Sequence, residues 1–146
     1  MLDRAAIDDA LVAVLAGDAT LAGLLPDGVW FDEAPPNARQ FALVALLSTR
    51  DEATFGGRAL EDAVYLVKAV SFDKSAATAL AAAAQIDALL EDASLAVAGG
   101  DCLAVFREQA IRYPEVDALD PSIRWQHCGG HYRVQFAVSA AAAQKG

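Results

Sequence analysis

FALVALLSTRDEATFGGRALEDAVYLVKAVSF, residues 41–72, decides the fold. Two apolar runs, 41–48 and 62–72, flank a polar stretch at 49–62 that carries Gly56 and Gly57. In the second run Val64, Leu66 and Val70 alternate with Ala63, Tyr65 and Val67, and Lys68 is the one charge inside. Period-two patterning in β-branched and aromatic residues is a strand signal, so 62–72 reads as a central strand. The 41–48 run is apolar enough to be covered on both faces. Hairpins usually turn in two to five residues, and long connections without structure of their own are mostly functional or disordered. A second oversized polar stretch, YPEVDALDPSIRWQHCGG, lies at 113–130. The two stretches are therefore expected to be loops and the sites of action.

Working outward, Asp3 can cap a helix to about residue 16, where Ile7, Leu11, Val14 and Leu15 recur at helical spacing before Gly17. A shorter helical piece at 18–25 ends at Pro26-Asp27-Gly28, and Val29-Trp30-Phe31 reads as a short strand. Pro35-Pro36-Asn37 is a rigid extended linker that cannot join a ladder. Ser75 can cap a helix over 76–91, with Ala79, Ala83, Ile86 and Leu90 on one face. Residues 94–98, Gly99-Gly100 and residues 101–112 have the form of a tight hairpin, and 131–139 closes the domain as an alternating strand. Following strand direction through these elements puts both long loops at one end of the sheet. The expected fold is α+β: a mostly antiparallel sheet of about four to five strands, two main helices packed on one face and two long hairpin loops. Residues 1–139 form one domain and 140–146 a loose tail.

The composition narrows the function classes. At 146 residues one domain suffices. No apolar run approaches the ~20 residues of a membrane span, and the 55% hydrophobic content comes largely from alanine. The amino terminus lacks a basic n-region and a cleavage site, so a cytoplasmic product is expected. Cys102 and Cys128 are too few for a secreted disulfide framework, although neighbouring strands could bring them together. A net charge of -9 supplies no basic stripe for phosphates, which argues against sequence-reading nucleic-acid binding. A like-charged wall along which nucleic acid slides is compatible with it.

Catalytic sets are scarce. His127 and His131 are the only histidines, and the chain has neither a nucleophile elbow nor a phosphate-binding glycine loop. Gly56-Gly57, Gly99-Gly100 and Gly129-Gly130 are bare pairs that read as turns. His127, Cys128 and His131, with Cys102 on a neighbouring strand, are zinc-ligand types. Residues four apart lie ~13 Å apart in an extended chain, too far for one ion unless the glycines fold it back. The paired carboxylates are adjacent in sequence and read as solvated surface. No enzyme, cofactor or metal site is expected. On the polar stretches, Arg50, Phe55, Arg58, Ile123, Arg124 and Trp125 are the candidate interface residues, since tryptophan and arginine are enriched at binding hot spots. Phe55 and Trp125 either fold back on their own domain or face a partner.

The layout resembles the small tail-completion or tail-terminator proteins of long-tailed bacteriophages, prophages and gene-transfer particles. The resemblance rests on the leading helix and its continuation at 18–25, Gly28-Val29-Trp30-Phe31-Asp32, Ala34-Pro35-Pro36, the strands at 41–48 and 62–72, and the alanine-rich helix. It continues through the turn at 95–100, Arg112-Tyr113 and the closing strand at 131–136. The 113–130 stretch is longer than in such proteins, and 125–130 matches no part of their pattern. The resemblance implies a structural protein: a homo-oligomer, usually a hexameric ring, that caps the tail tube, stops its polymerisation and provides the interface for head joining. Its implied partners are the tail tube protein, a head-tail connector protein and DNA passing through the lumen without specific binding, with no membrane. Its implied location is the bacterial cytoplasm during assembly and then the tail of the particle. A head-tail connector or neck component is the alternative, and a small metal- or ligand-binding α+β domain a more distant one.

Overall fold

The computed structural model describes residues 4–54 and 57–138, with side chains outside 51–59. In chain order the elements are α1 (Arg4–Ala16), α2 (Ala19–Leu24), β1 (Val29–Phe31), β2 (Gln40–Thr54), β3 (Gly57–Phe72), α3 (Ala77–Leu90), β4 (Gly100–Val116) and β5 (Arg124–Val138). The strands form one open sheet in the order β1-β2-β3-β5-β4. Its neighbours are antiparallel except for the short β1, which runs parallel to β2. The fold is α+β.

Local chemistry sets the helix ends. The Asp18 carboxylate accepts from the Leu21 N–H at 2.8 Å and caps α2. At the start of α3 the Ser75 hydroxyl accepts from the Ala77 N–H at 3.1 Å. The small side chains of Ala79 and Ala82 let α3 approach the sheet closely, and both are fully buried with Ile86 and Leu90. Ala83, expected on that face, is only partly buried. The Asp3 cap and the 140–146 tail lie outside the described residues.

One face of the sheet carries the core. Ala42, Val44, Tyr65, Val67, Ala69, Val105, Tyr132, Val134 and Phe136 pack with Ile7, Leu11, Leu15, Ile86 and Leu90 from the helices. Tyr65 and Tyr132 stand opposite each other in the register. The Tyr65 hydroxyl donates to Asp8 on α1, and that of Tyr132 donates to Asp87 on α3 at 2.8 Å. Burial and these carboxylates push both phenols far above their ordinary range, so they remain neutral donors. One tyrosine thus ties down each long helix.

Three expectations are corrected. First, the 49–62 stretch is not a structureless loop: β2 and β3 stay paired from Gln40↔Ser71 to Thr54↔Gly57. Polar side chains do not prevent ladder formation, because the hydrogen bonds belong to the backbone. Likewise β4 and β5 absorb most of 113–130, leaving 117–123 as the connection. Second, residues 94–98 form no strand. The chain just before them seals the outer edge of β4: the Asp92 N–H donates to the Val105 carbonyl at 3.0 Å, and the Arg107 N–H to the Glu91 carboxylate at 3.4 Å. Third, with that reversal missing, β4 runs opposite to the expected direction. The β2–β3 tip and the 117–123 loop therefore lie at opposite ends of the sheet, where Thr54↔Gly57 and Phe72↔Trp125 mark the two extremes.

Candidate functional site

Strand alternation gives the sheet a second face, on which no helix among the described residues packs. One row of side-chain positions crosses all five strands there: Trp30, Leu43, Lys68, Gly129 and Ile111. The next row on one side holds Phe41, Val70, His127 and Tyr113, and that on the other holds Ala45, Leu66, His131 and Gln109. The solvated face of an antiparallel sheet normally alternates to polar residues. Here its centre is apolar and aromatic, with Trp30 37% and Tyr113 42% exposed. Faces of this kind mark interaction surfaces.

Lys68 sits in the middle of this face and is only 8% exposed. Its Nζ donates to the Tyr113 hydroxyl at 2.9 Å and lies 5.4 Å from the centre of that ring. No carboxylate pairs with it among the described residues. The stem crosses Gly129, where an added Cβ would come 2.5 Å from Lys68 Cα and 2.2 Å from the Val67 carbonyl oxygen. The Gly129-Gly130 pair, expected in a turn, is therefore mid-strand, placed where chains approach closely. Tyr113 stacks on His127 with ring centroids 4.4 Å apart and planes 9° apart. His127 Nε2 lies 3.4 Å from a Glu115 carboxylate oxygen, and its Nδ1 is buried without a partner. Burial, then the Lys68 charge, pull the imidazole below its ordinary range, against the opposing pull of Glu115. Higher on the same face, Arg133 bridges Glu108 and Asp62, the latter at 2.6 Å.

The four zinc-type residues are spread along the sheet. His127 and His131 stand on the uncovered face two rows apart, and Cys128 points to the opposite face. Cys102 is opposite Phe136 and Cys128 opposite Arg112, so about 30 Å of extended strand separates the two thiols. Both are free.

The candidate interface residues fall into two groups. Arg50 stands exposed opposite Asp62 in the β2–β3 hairpin. Phe55 and the Arg58 side chain, near the hairpin tip, lie outside the described residues. At the other end Trp125 is half-buried on its own domain: its ring is 4.6 Å from that of Phe72, and its indole N–H donates to Asp117 at 3.1 Å. The Arg39 guanidinium covers both rings, at 5.2 and 5.7 Å. Backbone N–H groups, that of Asp120 foremost, together with the Trp125 indole hold the Asp117 carboxyl below its usual range. Ile123 closes the loop, exchanging backbone hydrogen bonds with Asp117 and Asp120, and Arg124 is exposed beside it. The sheet does not bring the two groups together. The central row, from Trp30 to Ile111, was not among the sequence candidates. Its one visible signal was a lone lysine in an otherwise apolar strand.

The family model for Tail completion protein gp17 matches residues 9–140. A chain of the structure described as "Virion of native gene transfer agent (GTA) particle" shares the fold with TM-score 0.67 and 24% identity, over 92% of this chain and 99% of that one. A second solved structure shares it with TM-score 0.59 and 17% identity, over 95% and 97% of the two chains. No curated protein matches the chain. With nearly its whole length matched by the family model and its fold shared end to end with these structures, the chain belongs to the tail completion protein gp17 family.

Proposed function

We propose that the chain is a non-enzymatic tail protein whose copies close into a ring, hexameric by the family resemblance, that caps the tail tube, halts its polymerisation and presents the surface for head joining. Family membership supports the broader statement, a structural role in a phage-type tail. The observation that carries the subunit role is the uncovered sheet face, whose apolar centre between Trp30 and Ile111 calls for a protein partner. The net charge of -9 suits a lumen through which DNA moves without adhering. The β2–β3 hairpin extends the sheet at one end and is suited to reach the tube or the connector.

Replacing residues 53–59 with Asn-Gly tests the hairpin assignment, because it keeps the Glu52↔Leu60 pair and supplies a two-residue turn. The variant should fold with an unchanged melting temperature and yield tails of uncontrolled length or tails without heads. Normal infectious particles would refute the assignment. Pull-down of the tube protein and of the connector by the intact chain distinguishes the tube-side from the portal-side contact.

A further inference from the structure

We infer that the uncovered sheet face receives Asp32 and Glu33 of a second copy of this chain, with Lys68 supplying the counter-charge. The inference rests on the ring reading and names its subunit contact. Among the described residues, Lys68, 8% exposed, bonds only to the Tyr113 hydroxyl and has no carboxylate beside it, and a buried cation is costly until a counter-charge arrives. The buried, unpartnered His127 Nδ1 one row away is a second polar atom still unsatisfied on this face. A nucleic-acid backbone would need several cations, whereas this face also carries Asp62, Glu108 and Glu115. An apolar protein surface presenting one or two carboxylates is the complement.

The chain displays such a group. Most acidic side chains of the described residues are engaged within the subunit, as Asp62 and Glu108 are by Arg133. Asp32 and Glu33 are the one adjacent pair of exposed carboxylates among the described residues that neither bonds nor pairs. They project from the end of the edge strand β1 on a fixed turn. Asp32 has φ 65°, a left-handed conformation that aspartate tolerates better than most residues. The Asp32 N–H donates to the Val44 carbonyl and the Glu33 N–H to the Phe31 carbonyl, both at 2.8 Å. Pro35 and Pro36 stiffen the segment that follows. An edge turn docking on a sheet face joins unlike surfaces, so each subunit offers one of each, as a closed ring requires.

Carbodiimide coupling of the concentrated full-length chain, with isotope-labelled and unlabelled copies mixed, tests the contact. The expected product is an intermolecular amide between Lys68 and Asp32 or Glu33, identified by mass spectrometry. Lys68→Met and the double variant Asp32→Asn, Glu33→Gln should each weaken self-association at least tenfold by sedimentation. Both should melt no lower than the unaltered chain, since neither removes an ion pair within the subunit. Intermolecular Lys68 links to other residues, no such link, or unchanged association of the double variant would overturn the contact. Electron microscopy of the same sample separates the two claims. Closed rings without the link refute the contact alone, whereas the link in open dimers or filaments refutes the ring alone.

Discussion

Lys68 can cross to Tyr113 only because position 129 carries no side chain. A methyl group there would press on the backbone of β3 at 2.2 Å and 2.5 Å, and a strand held on both sides cannot retreat. Gly129→Ala is expected to cost about 3 kcal/mol, at the upper end of overpacking effects, as measured by urea denaturation. His127 makes a different prediction. Buried against Tyr113 and facing Lys68 and Glu115, it stays neutral in the fold with a depressed pKa. The unfolded chain takes up a proton at about pH 6.5, so acidification below that pH favours unfolding until the folded pKa is reached. The melting temperature should therefore fall as the pH drops below about 6.5, and His127→Gln should flatten that slope. An identical slope in the variant would remove His127 as its source.

At the level of elements, the sheet is held to its helices by neighbouring tyrosines as well as by apolar contact. Tyr65→Phe and Tyr132→Phe should each cost about 1 kcal/mol in chemical denaturation, through loss of the bonds to Asp8 and Asp87. The alternation of Tyr132, Val134 and Phe136 was legible in the sequence because burial on one side imposes period two. The helical piece at 18–25 was legible as well, and the structure adds that Asp18 caps it. Strand beyond Ser48 was not, since Thr49-Arg50-Asp51-Glu52 is polar throughout and offers no apolar alternation to read. Residues 94–98 misled in the opposite way. Leu95 is buried and Val97 half-buried between exposed neighbours, an alternation like that of a strand, yet this stretch joins no ladder. That one element reversed the inferred direction of β4 and moved the 117–123 loop to the far end. The uncovered face was hidden for a further reason: its central row is assembled from five strands, each contributing one residue.

For the whole molecule, the asymmetry of the sheet matters most. Helices cover one face, and the other has an apolar centre around Lys68. The outer edge of β4 is guarded twice. Asp92 and Glu91 bond to it at Val105 and Arg107, and further along Pro114 has no N–H to offer an incoming strand. That guarding disfavours uncontrolled edge pairing and leaves the uncovered face and the β2–β3 hairpin as the surfaces for assembly. Ion pairing at Lys68 should make self-association salt-dependent, with sedimentation showing weaker association at 1 M salt than at 0.1 M.

We propose above all that this subunit closes a ring on the end of a tail tube and stops its growth. The most direct measurement is electron microscopy of the cognate tube protein polymerised with and without the purified chain. Shorter tubes of limited length, each carrying a ring of this chain at one end, are expected. Tubes of unchanged, unlimited length with bare ends would contradict it.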